Sequence, residues 1–452
     1  MSYPKILIVG HYFDLHSGGG ITMTNLFKGW DRDKIAVIAE NISHPDLTVC
    51  NKYYKLGSGE TRHNFPFNLN PRKKPMHGGP VHTVAAPAVS APGKVTKNSV
   101  LKDSYINLLH FAGLFHFKRR YTISNELLKW IYDFSPDIIY SQLSNIELIS
   151  FVSDLQEKLK LPVAIHMMDD WPVTISRPGP FQAYWHKRID KEFRKLLSKA
   201  SVLMSISESM SVEYLNRYGY RFVPFHNPID LKFWGGFSKK NYAINTPFVV
   251  LYAGRIGTGI QDCLVDIAEA IKGLVTDGAK IEFHIQTVSN DPVLQRLEAY
   301  DFTRLKAPVP YHELPGVFAK ADLLVLPNDF DKKSISFLKY SIPTKASEYM
   351  ASGTPILVYS STETAVIEHA LQNKWAYVVS QRSVEKLRIA IYEIYSDENL
   401  RHNLASVAQK FSAEHYDGDM VRTKFKNSFV LSNSASKKGE NANTTVNSDL
   451  NQ

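Results

Sequence analysis

Tyr340-Ser341-Ile342-Pro343-Thr344-Lys345-Ala346-Ser347-Glu348-Tyr349-Met350-Ala351-Ser352-Gly353-Thr354-Pro355 reads as a short helix with marked ends. Ser341 can cap it, Pro343 suits the first turn, and Gly353 suits a left-handed exit. Pro355 blocks continuation, and Ile356-Leu357-Val358-Tyr359 reads as a strand. Upstream, residues 322–327 (Asp-Leu-Leu-Val-Leu-Pro) read as another short buried strand. Strand, loop, helix N-terminus, strand is the order in which a parallel sheet presents backbone N–H groups to a phosphate. The stretch therefore predicts an α/β chain.

Two charges sit inside that helix. Lys345 is in the first turn, where a cation opposes the helix dipole. Glu348 follows three positions later and can share its face. A ligand with a diphosphate and a diol satisfies both, the ammonium taking the phosphate and the carboxylate accepting from two hydroxyls; a nucleotide sugar is such a ligand. The plainer alternative is a surface i,i+3 salt bridge, and spacing alone leaves both open.

Pro343-Thr344-Lys345-x-x-Glu348-Tyr349-Met350-Ala351-Ser352-Gly353-Thr354-Pro355 resembles the donor-binding segment of GT-B glycosyltransferases, family-4-like. The resemblance implies that Glu348 binds the nucleotide ribose. Many members carry a second glutamate eight residues earlier, against the donor sugar; here that position is Tyr340, followed by Ser341. The chain is closer to a branch with a Pro-x-Lys-x-x-Glu-Tyr signature, and Tyr340 and Ser341 join Lys345 and Glu348 as expected donor-binding residues.

Composition sets the outer limits. With 452 residues, 44% hydrophobic and 12% aromatic, the chain is long enough for two domains with separate cores. No run approaches the roughly 18 apolar residues of a membrane span. The opening apolar run, Lys5-Ile6-Leu7-Ile8-Val9-Gly10, is too short for a signal-peptide core and reads as a first strand. Cys50 and Cys263 are the only cysteines, which argues against a disulfide framework and fits a reducing, cytoplasmic setting. The net charge is +9, and twelve Lys/Arg against Glu60 and Asp103 place +10 of it between Cys50 and Tyr121. Such a patch predicts an anionic partner, membrane lipid before nucleic acid, or else a solvated loop without one. No recognition motif accompanies the charge, so a nucleic-acid binder is not expected.

After the first strand comes His16-Ser17-Gly18-Gly19-Gly20, read as a loop before a helix over 21–30. Glycines let a ligand approach the backbone, though a mere turn fits equally, and the spacing is not a dinucleotide fingerprint. In family-4-like enzymes a Gly-Gly loop here faces the donor phosphates, which implies that role for Gly18 and Gly19. A strand at 34–39 precedes the basic, proline-rich insertion (about 51–121), in which no regular element is expected. Within it, residues 108–120 join apolar bulk to terminal cations and read either as an interfacial segment or as an ordinary packed helix. The strand at 162–165 ends in His166-Met167-Met168-Asp169-Asp170-Trp171-Pro172. His166 can donate to a sugar hydroxyl and Asp169 or Asp170 can serve as base; turn formation and helix capping are the alternative for the Asp pair. Relatives carry a similar Asp-x-Trp-Pro element facing the acceptor. Further on, Asn227-Pro228-Ile229-Asp230 resembles the family's exit from the first domain. Phe248-Val249-Val250-Leu251-Tyr252-Ala253 then runs into Gly254-Arg255, and the resemblance makes Arg255 a diphosphate ligand. The lysine often found a few residues on is lacking, and Lys345 is expected to stand in for it.

The expectation is thus an α/β GT-B fold: two Rossmann-like domains facing across a cleft. Residues 1–229 form the acceptor-side domain, 230–246 a linker and 247–411 the nucleotide-sugar domain. Residues 412–430 form a helix returning to the first domain, and 431–452 a disordered tail. The implied activity is retaining, metal-independent transfer from a nucleotide sugar to an acceptor hydroxyl in cell-surface polysaccharide or glycolipid assembly. His166, Asp169, Asp170, Arg255 and Lys345 are the expected catalytic residues, no cofactor is expected, and peripheral attachment to the inner membrane face is expected through the basic segment. A non-catalytic nucleotide-sugar-binding scaffold and a sugar-nucleotide epimerase are the alternatives.

Overall fold

The computed structural model describes residues 3–14, 18–42, 45–69, 76–81, 98–175, 179–244, 246–257, 259–288 and 291–430. The proposed tail from Ser432, the His16-Ser17 pair and the Arg72-Lys73-Lys74 run lie outside them. The chain divides into two compact units, with His226–Val421 in the second and residues 422–430 back in the first.

Among the described residues the first unit holds ten strands: β1 (Ile6–Val9), β2 (Ile35–Ala39), β3 (Tyr53–Lys55), β4 (Thr61–His63), β5 (Gly79–Val81), β6 (Arg119–Tyr121), β7 (Ile138–Ser141), β8 (Val163–Met167), β9 (Ala200–Ser205) and β10 (Val223–Pro224). Eight form one sheet in the order β10-β9-β8-β7-β1-β2-β3-β5. All neighbours there run parallel except β3 and β5. The central strands are apolar at nearly every position, as strands covered on both faces must be. Side-chain caps start the intervening helices: Ser124 accepts from Leu127 N, Asn145 from Leu148 N and Ser207 from Met210 N.

The insertion is more regular than expected. β3 and β5 extend the main sheet, and β4 pairs antiparallel with β6. Buried Glu60 organises this turn by accepting from Gly57 N and the Tyr54 and Ser124 hydroxyls. Gly57 and Gly78 touch backbone to backbone, since a Cβ on Gly57 would lie 2.3 Å from Gly78 N. The strand pairings, the Ser124 bond and the Gly57–Gly78 approach join segments distant in sequence, so local composition could not announce them. The glycines after β1 also differ from expectation. They form the first turn of a helix, Gly18–Phe27, rather than a loop.

The second unit holds β11 (Phe248–Ala253), β12 (Ile281–Gln286), β13 (Thr303–Lys306), β14 (Leu323–Pro327), β15 (Ile356–Tyr359) and β16 (Tyr377–Val379), in the order β13-β12-β11-β14-β15-β16. Every pairing is parallel. The period-2 alternation of strand side chains sorts the core into two clusters. Phe248, Val250 and Tyr252 join Leu323, Val325, Leu357 and Tyr359 in one cluster, with the helix Gln261–Thr276. Leu251 and Ala253 join Leu324, Leu326, Ile356 and Val358 in the other, with Ala346, Tyr349 and Met350 of the helix Thr344–Ser352. This is a doubly wound, Rossmann-like arrangement, and the first unit's sheet order shows the same reversal around its first strand.

The last described helix, 418–430, contributes Phe425 and Phe429 to the first unit. Phe425 meets Phe27 edge-on at 5.1 Å and Phe225 at 5.4 Å, and Phe429 meets Trp30 at 5.6 Å.

Candidate functional site

In the second unit the strand order reverses between β11 and β14, where open α/β sheets leave a crevice at their carboxyl ends. The chain leaves β11 through Gly254, which has φ +150°. The helix Thr344–Ser352 is stapled to the same strand end. Tyr349 Oη accepts from Ala253 N at 3.1 Å and donates to Ala253 O at 3.3 Å. Asn227, itself buried, donates to Thr344 O and Ser347 Oγ at 3.4 and 3.3 Å and so fixes the start of the helix. Pro343 occupies the N-cap and supplies no capping bond, whereas Gly353 ends the helix at φ 73°. Ser341 is therefore not the cap: it lies two residues upstream, buried, with its N–H bonded to Leu338 O. Pro343 begins the helix because its ring fixes a suitable φ and it has no N–H to satisfy.

Lys345 reaches back from this first turn to the end of β11. Its Nζ donates to Ala253 O at 3.2 Å and lies 4.1 Å from the centre of the Tyr252 ring. Burial lowers its pKa to about 7, against the opposing pull of Glu348. Glu348 is 5% exposed, and its Oε1 has no hydrogen-bond partner. Burial raises its pKa to about 7, opposed by a hydrogen bond from Tyr311 and by the charge of Lys345. A buried carboxylate oxygen without a donor is costly, so Glu348 Oε1 is an unfilled hydrogen-bonding position of this unit. The surface salt bridge considered above is excluded, because Glu348 is buried and the described ion pairs include neither residue.

Arg255 follows Gly254 and is exposed, while its carbonyl accepts from Tyr252 Oη at 2.7 Å. Its guanidinium enters no ion pair among the described residues. Tyr340 is half-buried, with Lys339 Nζ 5.4 Å from its ring centre. The second unit thus brings Arg255, Lys345 and Glu348 to one strand end, and Tyr340 and Ser341 to the turn leading into the Lys345 helix.

The remaining expected residues belong to the first unit. Gly19 is in the first turn of Gly18–Phe27, and a Cβ there would meet only Gln142 Oε1, at 3.8 Å. Gln142 Nε2 donates to Tyr140 Oη at 3.2 Å, which lies 2.8 Å from His166 Nδ1. His166 is fully buried in β8, and burial takes its pKa down to about 3, so the ring is neutral. Its Nε2 has no partner among the described atoms. Asp170 is not an open base. Its carboxylate receives Arg217 in two bonds of 2.8 and 3.0 Å and Tyr214 Oη at 3.0 Å, which ties the helix Glu208–Tyr218 to the end of β8. Asp169 is half-buried in the bend just before it.

Sequence reading missed three supports. Tyr252, Tyr311 and Asn227 hold the lysine, the glutamate and the helix start, respectively. For Asn227 a signal existed in Asn227-Pro228-Ile229-Asp230, and Asp230 does cap the next short helix, accepting from Phe233 N. The tyrosines carried no signal that distinguishes them from core aromatics.

The site lies inside the stretch that comparison picks out. Residues 247–397 match the family described as glycosyl transferases group 1. The fold is GT-B. Sucrose-phosphate synthase from Thermosynechococcus elongatus superposes with TM-score 0.58 at 11% identity, over 95% of this chain and 99% of that one. Anabaena HepE in complex with UDP and glucose gives 0.57 at 12%, over 95% and 100%. A glycosyltransferase from Rickettsia africae gives 0.57 at 10%, over 96% and 99%. No curated protein matches the chain significantly. No helix among the described residues is long and apolar enough to cross a membrane.

Proposed function

We propose that the chain transfers a glycosyl residue from a nucleotide sugar to an acceptor hydroxyl. The observation that carries this is the pair on one helical turn, a buried glutamate with an unpartnered oxygen and a lysine whose charge is suppressed by burial. A ribose supplies the missing hydroxyl donors to Glu348, and a diphosphate supplies the anion that recharges Lys345. Arg255, exposed at the same strand end, adds a second cation. Tyr340 and Ser341 flank the donor sugar, and Gly18 and Gly19 offer first-turn amides to its phosphates.

Transfer breaks the anomeric C–O bond to the diphosphate, and negative charge grows on the departing oxygen. Lys345 and Arg255 stabilise it electrostatically in the place a metal would otherwise take. Attack from the leaving-group face, with that phosphate oxygen accepting the acceptor's proton, retains the anomeric configuration. Asp169, half-buried in the bend after β8, orients the acceptor, and His166 acts through Tyr140 and Gln142 rather than by direct contact.

The acceptor class proposed is a surface glycan or glycolipid, assembled on the cytoplasmic side. Peripheral attachment is supported by exposed Leu108 and Phe111 beside Lys118 and Arg120 in the basic segment. Because HepE carries UDP and glucose in its complex, UDP-glucose is the first donor to test, beside GDP-, ADP- and dTDP-sugars. Thermal shift should select one nucleotide, and extract or lipid acceptor should then trigger turnover. Binding without turnover would favour a scaffold; donor conversion without acceptor would favour an epimerase.

A further inference from the structure

The two oxygens of the Glu348 carboxylate are not equivalent. Oε1 has no hydrogen-bond partner, whereas the Tyr311 hydroxyl donates to the carboxylate, so its bond falls on Oε2. A cis-diol grips a free carboxylate with one hydroxyl on each oxygen, since an ionised carboxyl group only accepts. Here one of those two places is already taken by a group of the protein.

Tyr311 is held in position. Its backbone lies in the short turn Tyr311–Glu313, in which Glu313 N–H bonds Pro310 O at 2.9 Å, and the turn runs into the helix Leu314–Lys320. Its ring stacks on Phe233 at 6.3 Å and meets Trp234 edge-on at 6.4 Å. Trp234 is itself fully buried and packs on Phe318 at 5.7 Å. Swinging the phenol away would undo that packing and leave a second buried carboxylate oxygen without a donor. With its proton committed, the phenol offers an incoming hydroxyl only a neutral oxygen. A bond to a neutral acceptor is about half as strong as one to a carboxylate. Two hydroxyls sharing Oε1 would each bend away from linearity.

We infer that Tyr311 is a specificity-determining residue: it leaves Glu348 one full-strength place for a pentose hydroxyl, so the site reads one of the two ribose hydroxyls and admits a nucleotide that lacks the other. The inference rests on the proposed placement of a nucleotide at Glu348 and narrows its diol grip to a single strong bond.

Titration calorimetry on the full chain tests this at pH 8.5, above the range in which burial keeps Glu348 protonated. The probes are the ribonucleoside diphosphates of uracil, thymine, cytosine, guanine and adenine, each beside its 2′-deoxy and 3′-deoxy form. For the base that binds, one deoxy form should lose affinity on the order of tenfold and the other less than about threefold. Tyr311→Phe keeps the ring and its packing but opens Oε2, so in that variant both deoxy forms should fall on the order of tenfold below the parent. Equal losses for the two deoxy forms in the unaltered chain, no loss for either, or an unchanged asymmetry in Tyr311→Phe overturns the inference. The first two outcomes need no variant to fold. If no nucleotide binds, the nucleotide reading itself falls and takes this inference with it; binding with equal losses removes the inference alone.

Discussion

Lys345 arrives where Gly254 has no side chain: a Cβ at Gly254 would stand 2.7 Å from Lys345 Nζ. The lysine can lie over Tyr252 and bond Ala253 O only because the backbone leaves that space open at φ +150°. Gly254→Ala should therefore strain the backbone and push the ammonium aside. A stability loss of about 1–2 kcal/mol is expected. Nucleotide-sugar affinity should fall with it, and chemical denaturation beside calorimetric titration separates the two effects.

Glu348→Gln should raise stability and lower donor affinity together. The folded pKa of about 7 lies above the ordinary 4.5, so the carboxylate costs nothing below pH 4.5 and most above pH 7. The gain in the variant should grow between those pH values and level off at about 3 kcal/mol. Donor affinity should drop roughly 10- to 100-fold, since ribose bonds to a charged acceptor are lost. A melting series over pH 4–9 with and without nucleotide reads both, and a destabilised Gln variant above pH 7 would contradict this account of Glu348.

Lys345→Met should discriminate diphosphate from nucleoside. Affinity for the nucleoside diphosphate should fall on the order of tenfold or more while the bare nucleoside binds as before. In the absence of ligand the variant should be stabilised at acid pH. Lys345 has a folded pKa of about 7 against an ordinary 10.5, so its burden is full below pH 7 and fades toward pH 10.5.

Donor binding should also move protons, with a sign that changes across neutrality. At pH 8 a partly neutral Lys345 takes up a proton as the diphosphate arrives; at pH 6 a partly protonated Glu348 releases one to accept the ribose. Titration calorimetry in buffers of different ionisation enthalpy measures this directly. Uptake at pH 8 should vanish in Lys345→Met.

Asp170→Ala should act on stability rather than on donor binding. Removing the carboxylate leaves the Arg217 guanidinium without its bidentate partner and Tyr214 without its acceptor. A loss of about 3–5 kcal/mol is expected. Nucleotide affinity of the folded fraction should be unchanged, and a catalytic base role would instead show as lost turnover at unchanged stability.

Continuous apolar runs such as Ile6–Val9 and Phe248–Ala253, separated by helices with marked ends, determined the parallel α/β layers, because local period and capping chemistry are written in neighbouring residues. The same holds for Lys345 and Glu348 sharing one turn. Only the tertiary structure decided what surrounds them. Burial, Tyr252 beneath the ammonium and Tyr311 on the carboxylate come from segments distant in sequence, and it is the burial that shifts the two pKa values, with Tyr311 opposing it at Glu348. It likewise decided that Asp170 is spent on Arg217, that Pro343 rather than Ser341 starts the helix, and that the basic insertion pairs into the sheet through β3 and β5. Desolvation and partner choice depend on the whole packed unit, and no window of sequence contains it.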